Sequence, residues 1–294
     1  MEADVLVIGS GPAGIQAAIH AARKKVSVVL VGRKSGSAMN GTHVENYFAV
    51  DGAADGKSML ETGLKQAEGF GCKVLDENVV SAERSGRFFK IMTENDVEIA
   101  AKAVVIATGI SRLKLGVPGE KELFGKGVSY CASCDCNFYK GKTVVIAGDD
   151  TEAAASAALM TKYASKTYWI AEEIKASGTM LSKAEDAGVE VISATIKAIN
   201  GDGKVSSVTL SDGRQIGADG VFIELGAKSS ADLAMDMDVM PETDDTIKVN
   251  SECATETEGV FACGDVTGKP WQVAKAVGQG AVAGISAADY ARGV

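Results

Sequence analysis

The chain has 294 residues, 46% of them hydrophobic and 23% charged, a globular balance with length for two cores. A net charge of −9 argues against nucleic acid or an anionic membrane surface as partner. No apolar run is long enough to cross a bilayer, and the N-terminus has no basic segment or cleavage site, so the expectation is a cytoplasmic protein.

Taken in chain order, Val5–Ile8 reads as a β-branched strand ended by Gly9-Ser10-Gly11-Pro12-Ala13-Gly14. An alanine-rich helix to about Arg23 and a strand over Val26–Val31 complete a βαβ unit of the doubly wound kind. A helix over Ser58–Phe70 follows, and then the hydrophobic period changes to two. Val79–Glu83, Phe88–Thr93 and Val97–Ala101 form an expected antiparallel meander, before a buried strand Ala103–Ala107 closed by Thr108-Gly109. From Lys142 the same grammar repeats: strand Thr143–Ala147, turn Gly148–Thr151, helix Glu152–Tyr163, strand Thr167–Ile170 and a helix near Met180–Ala187. A second meander, Thr195–Asn200, Val205–Leu210 and Arg214–Gly217, leads to a strand Val221–Leu225 ended by Gly226. The tail Gly259–Asp265, with a helix from about Gln272, has no counterpart in the second copy and reads as the last piece of the first domain. The predicted fold is therefore α/β: two Rossmann-like, three-layer nucleotide-binding domains, each with a small antiparallel meander, the second inserted in the first. The expected borders are residues 1–112 with 243–294 for the first domain and 113–242 for the central one.

The Gly9-x-Gly11-x-x-Gly14 turn has the strand before it and the helix after it that dinucleotide binding requires. Gly9 permits the tight turn, Gly11 lets backbone approach a pyrophosphate, and Gly14 lets helix and strand pack closely. The helix start through Pro12 and Ala13 offers the diphosphate a positive dipole end. After the second strand the chain reads Gly32-Arg33-Lys34 where an acid is expected; taken alone, that points to a 2′-phosphate and NADP. Ala107-Thr108-Gly109 and Gly264-Asp265 instead suit a long cofactor cradled from two strand ends, with Asp265 either accepting from a ribityl hydroxyl or merely capping a helix.

Cys131-Ala132-Ser133-Cys134 is the centre of the chemistry. Two cysteines three apart at a helix start are neighbours, the dipole lowers their thiol pKa, and in a reducing compartment such a pair makes and breaks a disulfide as its work. Asp135 is placed to shuttle a proton, or else is an acid that favours the dipole. Cys136, Cys72, Cys253 and Cys263 read as packed residues. With two histidines and no second C-x-x-C, structural zinc is the weaker reading and no metal is expected.

Gly127-Val128-Ser129-Tyr130-Cys131-Ala132-Ser133-Cys134-Asp135, after Leu113-Lys114 and Pro118-Gly119-Glu120, resembles the active-site segment of low-molecular-weight thioredoxin reductases. Val44-Glu45-Asn46-Tyr47 resembles that family's flavin-side segment, and Gly259-Val260-Phe261-Ala262-Cys263-Gly264-Asp265-Val266 its C-terminal FAD motif. The resemblance implies FAD in the first domain, held by the residues above together with Asn46, Val80, Trp271, Gln272 and Val273. It implies a homodimer, thioredoxin or a similar dithiol protein as acceptor, Cys134 facing the flavin and Cys131 exchanging with the protein substrate. Trp271 is expected as an aromatic lid near the flavin or as a hydrophobic anchor for the last helix.

The chain departs from the family where NADPH would bind. Ala147, Asp149 and Glu152 occupy the second fingerprint, and Ala171-Glu172-Glu173 replaces the basic cluster for a 2′-phosphate. The family's Gly-Gly-Gln is missing, and Lys269-Pro270-Trp271 stands where an arginine precedes Gln-Val. Like charges about 4 Å apart repel by some 4 kcal/mol at an effective dielectric of 20, so Asp149 is expected to repel a pyrophosphate. The pattern resembles the ferredoxin-dependent flavin thioredoxin reductase branch, with reduced ferredoxin as first candidate donor and a reduced deazaflavin as second. The competing functions are an NADPH-dependent reductase and a flavin-bound redox sensor that does not turn over.

Overall fold

The computed structural model describes residues 1–109, 114–226 and 228–293, and the chain divides into two units, Met1–Ser111 with Ser229–Val294, and Arg112–Lys228. The first unit opens with β1 (Glu2–Ile8), α1 (Pro12–Arg23), β2 (Val28–Val31), the short pair β3 (His43–Val44) and β4 (Ala54–Asp55), and α2 (Gly56–Gly69). It continues with β5 (Lys73–Leu75), β6 (Val79–Ser85), β7 (Phe88–Thr93) and β8 (Glu98–Ile106). Proline opens α1, where its missing N–H has no partner to lose. The Asp55 side chain starts α2 by accepting the Ser58 N–H.

The strands lie in the order β5-β2-β1-β8-β7-β6. The meander's third strand and the buried strand after it, expected as separate pieces, are one strand, β8. It pairs antiparallel with β7 from Met92↔Glu98 to Phe89↔Ala101 and parallel with β1 as far as Ile8↔Ile106. Lys102, between the two expected strands, pairs with Asp4 at the surface, and the strand runs through it.

The second unit holds β9 (Val128–Ser129), α3 (Ala132–Asp135), β10 (Thr143–Ala147), α4 (Thr151–Met160), β11 (Lys166–Ala171), α5 (Gly178–Asp186) and β12 (Glu190–Ser193). Then come β13 (Ile196–Gly201), β14 (Val205–Leu210), β15 (Gln215–Gly217) and β16 (Gly220–Ile223). A parallel sheet runs β12-β11-β10-β16-β9, and β13-β14-β15 form a separate three-stranded meander. Ile199, Val208 and Leu210 of the meander pack with Val145, Ala147, Val221 and Ile223 of the sheet in one core. β10 and β14 fall where the sequence puts them; β9 and β12 are additional.

The chain returns to the first unit with α6 (Ser230–Asp236), β17 (Val260–Ala262) and α7 (Val273–Arg292). The expected border at 242/243 is corrected to 228/229. Leu233, Ala234, Met237 and Val239 are buried in the core beneath β1, β7 and β8, and Asp236 accepts the Ala82 N–H at 3.2 Å. The other expected border, 112/113, lies outside the described residues, as does Leu113. β17 joins β8 in parallel, Val260↔Val104 to Ala262↔Ile106, as the seventh strand of the sheet.

α1 and α7 pack backbone against backbone. A Cβ at Gly280 would strike the Ala13 carbonyl, and one at Gly284 the Ala17 carbonyl. Lys24 and Asp289 join the far ends of the two helices at 2.8 Å. Ala13, Ala17, Ala21, Ala283 and Ala287 share a core with Val5, Val7 and Val105 on that face of the sheet.

Candidate active site

In the first unit β1, β8 and β17 end side by side, so the segments that leave them meet at one edge, where doubly wound sheets bind nucleotides. Gly9 has φ +116°, and a Cβ there would collide with the Ala107 carbonyl; a Cβ on Gly14 would collide with the Gly9 carbonyl, and one on Gly32 would press on the Ser10 amide at 2.7 Å. A Cβ on Gly11 would meet only Ser37 Oγ, at 3.5 Å, so protein does not fill the space above it. No side chain caps α1 at this end. Among the described residues, Thr108 Oγ1 and Asp265 Oδ1 are buried without a hydrogen-bond partner, a state that costs about 1–3 kcal/mol per group until a ligand answers it. Burial pushes the Asp265 carboxyl above its ordinary range, against the pull of the Lys275 ammonium. These open and unanswered groups fit a polar, extended cofactor.

The other expected cofactor residues gather unevenly. Asn46 Nδ2 donates to Gln272 Oε1 at 3.0 Å, joining positions far apart in sequence at the start of α7, where Val273 is the first helical residue. Val80 is the extra residue of a bulge in β6, between Val79↔Thr93 and Ser81↔Met92, a device that re-aims a side chain. Trp271 is 51% exposed, with Lys269 Nζ 5.1 Å from its ring centroid, so it does not anchor α7 in the core. Arg33 donates from Nε and Nη2 to Glu94 at 2.9 and 2.6 Å, and buried Glu94 also accepts the Asn78 N–H at 2.7 Å. Its guanidinium is thus held by a carboxylate, contrary to the literal 2′-phosphate reading of Gly32-Arg33-Lys34.

In the second unit Cys131 and Cys134 form a disulfide just beyond the end of β9. Cys131 is 7% exposed and Cys134 is exposed, so the more open residue of the pair here is the one that the resemblance turns toward the flavin. Cys131 N–H donates to Ser129 Oγ at 3.1 Å, Cys134 N–H to Cys131 Sγ at 3.2 Å, and Cys131 Sγ lies 3.4 Å from Ser133 Oγ. Ala132 N–H donates to the carboxylate of Glu224, at 2.7 Å. The helix that was expected to lower the thiol pKa is a single turn, followed by one 3-10 turn over Cys136–Tyr139. Asp135 is partly buried and faces Tyr139, whose hydroxyl is pushed up by burial and then by the charges of Asp135 and Asp219. Cys136, Cys72, Cys253 and Cys263 are buried free thiols; burial pushes Cys72 up to about 11.

The second fingerprint turn is tied to its own surroundings. Asp149 Oδ2 pairs with Lys175 Nζ at 2.5 Å, and the Asp149 carbonyl accepts the N–H groups of Lys175 at 2.6 Å and Ala176 at 3.2 Å. Asp150 caps α4 through the Thr151 N–H, and Glu152 N–H donates to the Gly226 carbonyl at 3.2 Å. Glu172 and Glu173 are exposed after β11. The repulsion expected from Asp149 is therefore corrected: Lys175 answers its charge, and the turn is bonded through Asp149 to Lys175 and Ala176.

A family model described as pyridine nucleotide-disulphide oxidoreductase matches residues 3–280. The chain belongs to that family. Within this oxidoreductase family it is similar to the thioredoxin reductase of Bacillus subtilis (strain 168), at 33% identity over 98% of this chain and 94% of the relative. It is also similar to that of Peptoclostridium litorale, at 34% identity over 98% and 96%. Among solved structures, the atypical thioredoxin reductase of Desulfovibrio vulgaris Hildenborough matches at 33% identity, 98% of each chain and a TM-score of 0.86. A ferredoxin-flavin thioredoxin reductase of Clostridium acetobutylicum matches at 32% identity, 98% and 97% coverage and a TM-score of 0.71. The protein is thus a disulfide reductase of the thioredoxin reductase type and an FAD-binding flavoprotein.

Seen as a pyridine nucleotide-disulphide oxidoreductase, the chain has three site features that sequence reasoning missed. Glu224 is an acid at the end of the apolar run Val221-Phe222-Ile223, and an acid at the end of a buried strand was the available signal. Glu94 and Lys175 lie far in sequence from Arg33 and Asp149, and nothing local in the sequence connects them.

Proposed function

We propose that the chain is a ferredoxin-dependent flavin thioredoxin reductase, which takes electrons from a low-potential donor rather than from NADPH. A flavin, when bound, would supply the exchange between a one-electron donor and a two-electron acceptor; the Cys131–Cys134 disulfide, given two electrons and two protons, opens to two thiols. The thiols then reduce a disulfide of thioredoxin, and the Cys131–Cys134 bond re-forms. In this reading the first unit, with Gly9, Gly11, Gly14, Thr108 and Asp265, holds FAD. The second is a degenerate NADPH-type domain that carries the redox pair, with Cys134 toward the flavin, Cys131 toward thioredoxin and Asp135 moving a proton. The enzyme works as a cytoplasmic homodimer.

The observation that carries the choice of donor is the closed second turn, in which Lys175 and Ala176 bond to Asp149 and Gly226 takes an amide at the start of α4. The exposed pair Glu172–Glu173 gives a 2′-phosphate no cation. The similarity to a ferredoxin-flavin thioredoxin reductase supports the same donor. Arg23-Lys24-Lys25 and Arg33-Lys34 are the sequence's basic clusters for an acidic ferredoxin, but Arg33 and Lys24 already hold acids, which leaves Arg23, Lys25 and Lys34 as the candidates.

The test is anaerobic stopped-flow mixing of the oxidised holoenzyme with NADPH, NADH or enzymatically reduced ferredoxin, followed at the flavin absorbance. Bleaching by ferredoxin alone, with onward reduction of thioredoxin, is the expected result. Rapid bleaching by micromolar NADPH would assign the chain to the NADPH-dependent thioredoxin reductases instead. A disulfide reduced once without passing electrons to thioredoxin would make it a sensor.

A further inference from the structure

We propose that Glu224 is a positioning residue that sets the redox poise of the Cys131–Cys134 pair, holding it strongly reducing by occupying the Ala132 amide with a carboxylate. The inference rests on the reading that this pair cycles between disulfide and dithiol. It concerns a side chain outside the C-x-x-C segment, nearly a hundred residues away in sequence.

The strand order makes the contact. β16 lies between β10 and β9, and the redox turn follows β9, so the residue that leaves β16 emerges beside it. That residue is Glu224, 4% exposed, directly after the buried Val221, Phe222 and Ile223. Its backbone is fixed, because Glu224 N–H donates to the Ala147 carbonyl at 2.8 Å. A Cβ at Gly148 would overlap its carbonyl, so the second turn packs tightly on it. At the redox turn the side chain accepts the Ala132 N–H at 2.7 Å. Burying a carboxylate is unfavourable unless hydrogen bonds answer it, so this amide is committed to Glu224.

Reduction breaks the S–S bond, adds two electrons and takes up two protons, or one where a thiolate persists. A thiolate at Cys131 has the Cys134 amide at 3.2 Å and the Ser133 hydroxyl at 3.4 Å. The next amide, that of Ala132, is already taken, and by a group of the same sign as the thiolate. Glu224 and Asp135, both acids of the second unit, act in one direction and disfavour the thiolate form. Dithiol pairs become oxidising when their reduced form is stabilised; withholding that stabilisation makes the pair a better donor to thioredoxin.

The experiment equilibrates the wild-type holoenzyme, Glu224→Gln and Glu224→Leu with dithiothreitol redox buffers, traps thiols with a maleimide and counts label on the peptide that carries Cys131 and Cys134. Glu224→Gln keeps an acceptor oxygen and removes the charge. It is expected to shift the equilibrium about tenfold toward the dithiol, roughly 30 mV more positive. Glu224→Leu, which removes the acceptor as well, is expected to shift it at least as far. Potentials within twofold of wild type in equilibrium constant would overturn the proposal while leaving the pair as the working couple. A wild-type pair that dithiothreitol cannot reduce would overturn the redox reading and this inference with it. Alkylation of the reduced wild-type enzyme, read at Cys131, is a check that needs no variant: this thiol should titrate no lower than a free thiol, about 8.5, and titration near 7 would overturn the proposal.

Discussion

Replacing Arg33 with methionine separates two roles for that residue, because its guanidinium sits in a buried carboxylate. Glu94 has a side chain 2% exposed, against 20% for Arg33, and holds the Asn78 N–H as well. Arg33→Met leaves that carboxylate buried with a backbone amide and without its cation. Breaking a buried pair from one side costs about 3–5 kcal/mol, and the partial exposure of Arg33 puts this case near about 3. In a domain of roughly this size about 1 kcal/mol moves the melting temperature by about 2–4 °C, so a fall of roughly 6–12 °C is expected. The assay is thermal unfolding of the flavin-free protein by circular dichroism, repeated with Glu94→Gln and the double variant. The double variant should be less destabilised than the sum of the singles by about 1 kcal/mol or more, since it removes the orphaned charge. A drop of under 2 °C in Arg33→Met, with additive variants and flavin affinity reduced more than tenfold, would refute the reasoning and make Arg33 a cofactor ligand.

Cys131→Ser and Cys134→Ser should each abolish thioredoxin reduction while keeping the flavin, and a long-wavelength thiolate-to-flavin absorption should develop in reduced Cys131→Ser; its appearance only in Cys134→Ser would reverse the order. Asp135→Asn should slow turnover by roughly 10²–10⁴, the worth of a lost acid or base, and steady-state rates within twofold of wild type would remove its proton-transfer role. Asp265 has a folded-state pKa raised above 3.8 by burial, so its contribution to stability is full below that value and is lost as pH rises through the raised one. Asp265→Asn should therefore raise the melting temperature of the flavin-free protein at pH 7 while weakening flavin retention, and a lowered melting temperature at both pH 3.5 and pH 7 would contradict the assignment.

The first βαβ unit was legible because each level agrees: β-branched strand, glycine turn, proline at the helix start and an alanine face with period 3.6. The redox pair was legible from spacing alone. β5 and β12 were missed because each is an edge strand of three or four residues, exposed at one end in β5 and at both in β12, too short for a period to register. α6 was given to the wrong domain because Ser230–Asp236 has the composition of a surface turn; its place is decided by Leu233 and Met237, which bury against strands far away in sequence. Asp149 looked like an unopposed negative charge because Lys175 follows two glutamates, in a stretch whose sequence reads acidic. The glycine turns and the cysteine pair are local signals. Glu94, Lys175 and Glu224 act through partners that only the strand order brings near.

The close seat of α7 on α1, where Gly280 and Gly284 meet the carbonyls of Ala13 and Ala17, has a consequence for biosynthesis. At about 5–20 residues per second, α7 leaves the ribosome on the order of ten to fifty seconds after α1, and β17 and Asp265 come only slightly before it. During that interval α1 shows its alanine face to solvent, and β8 lacks the neighbour that completes its edge. The inserted unit, contiguous in the chain, is free to fold first. Flavin offered before α7 is made has half a cradle to bind, so cofactor capture follows the synthesis of α7, and pulses of FAD given earlier should leave the enzyme colourless.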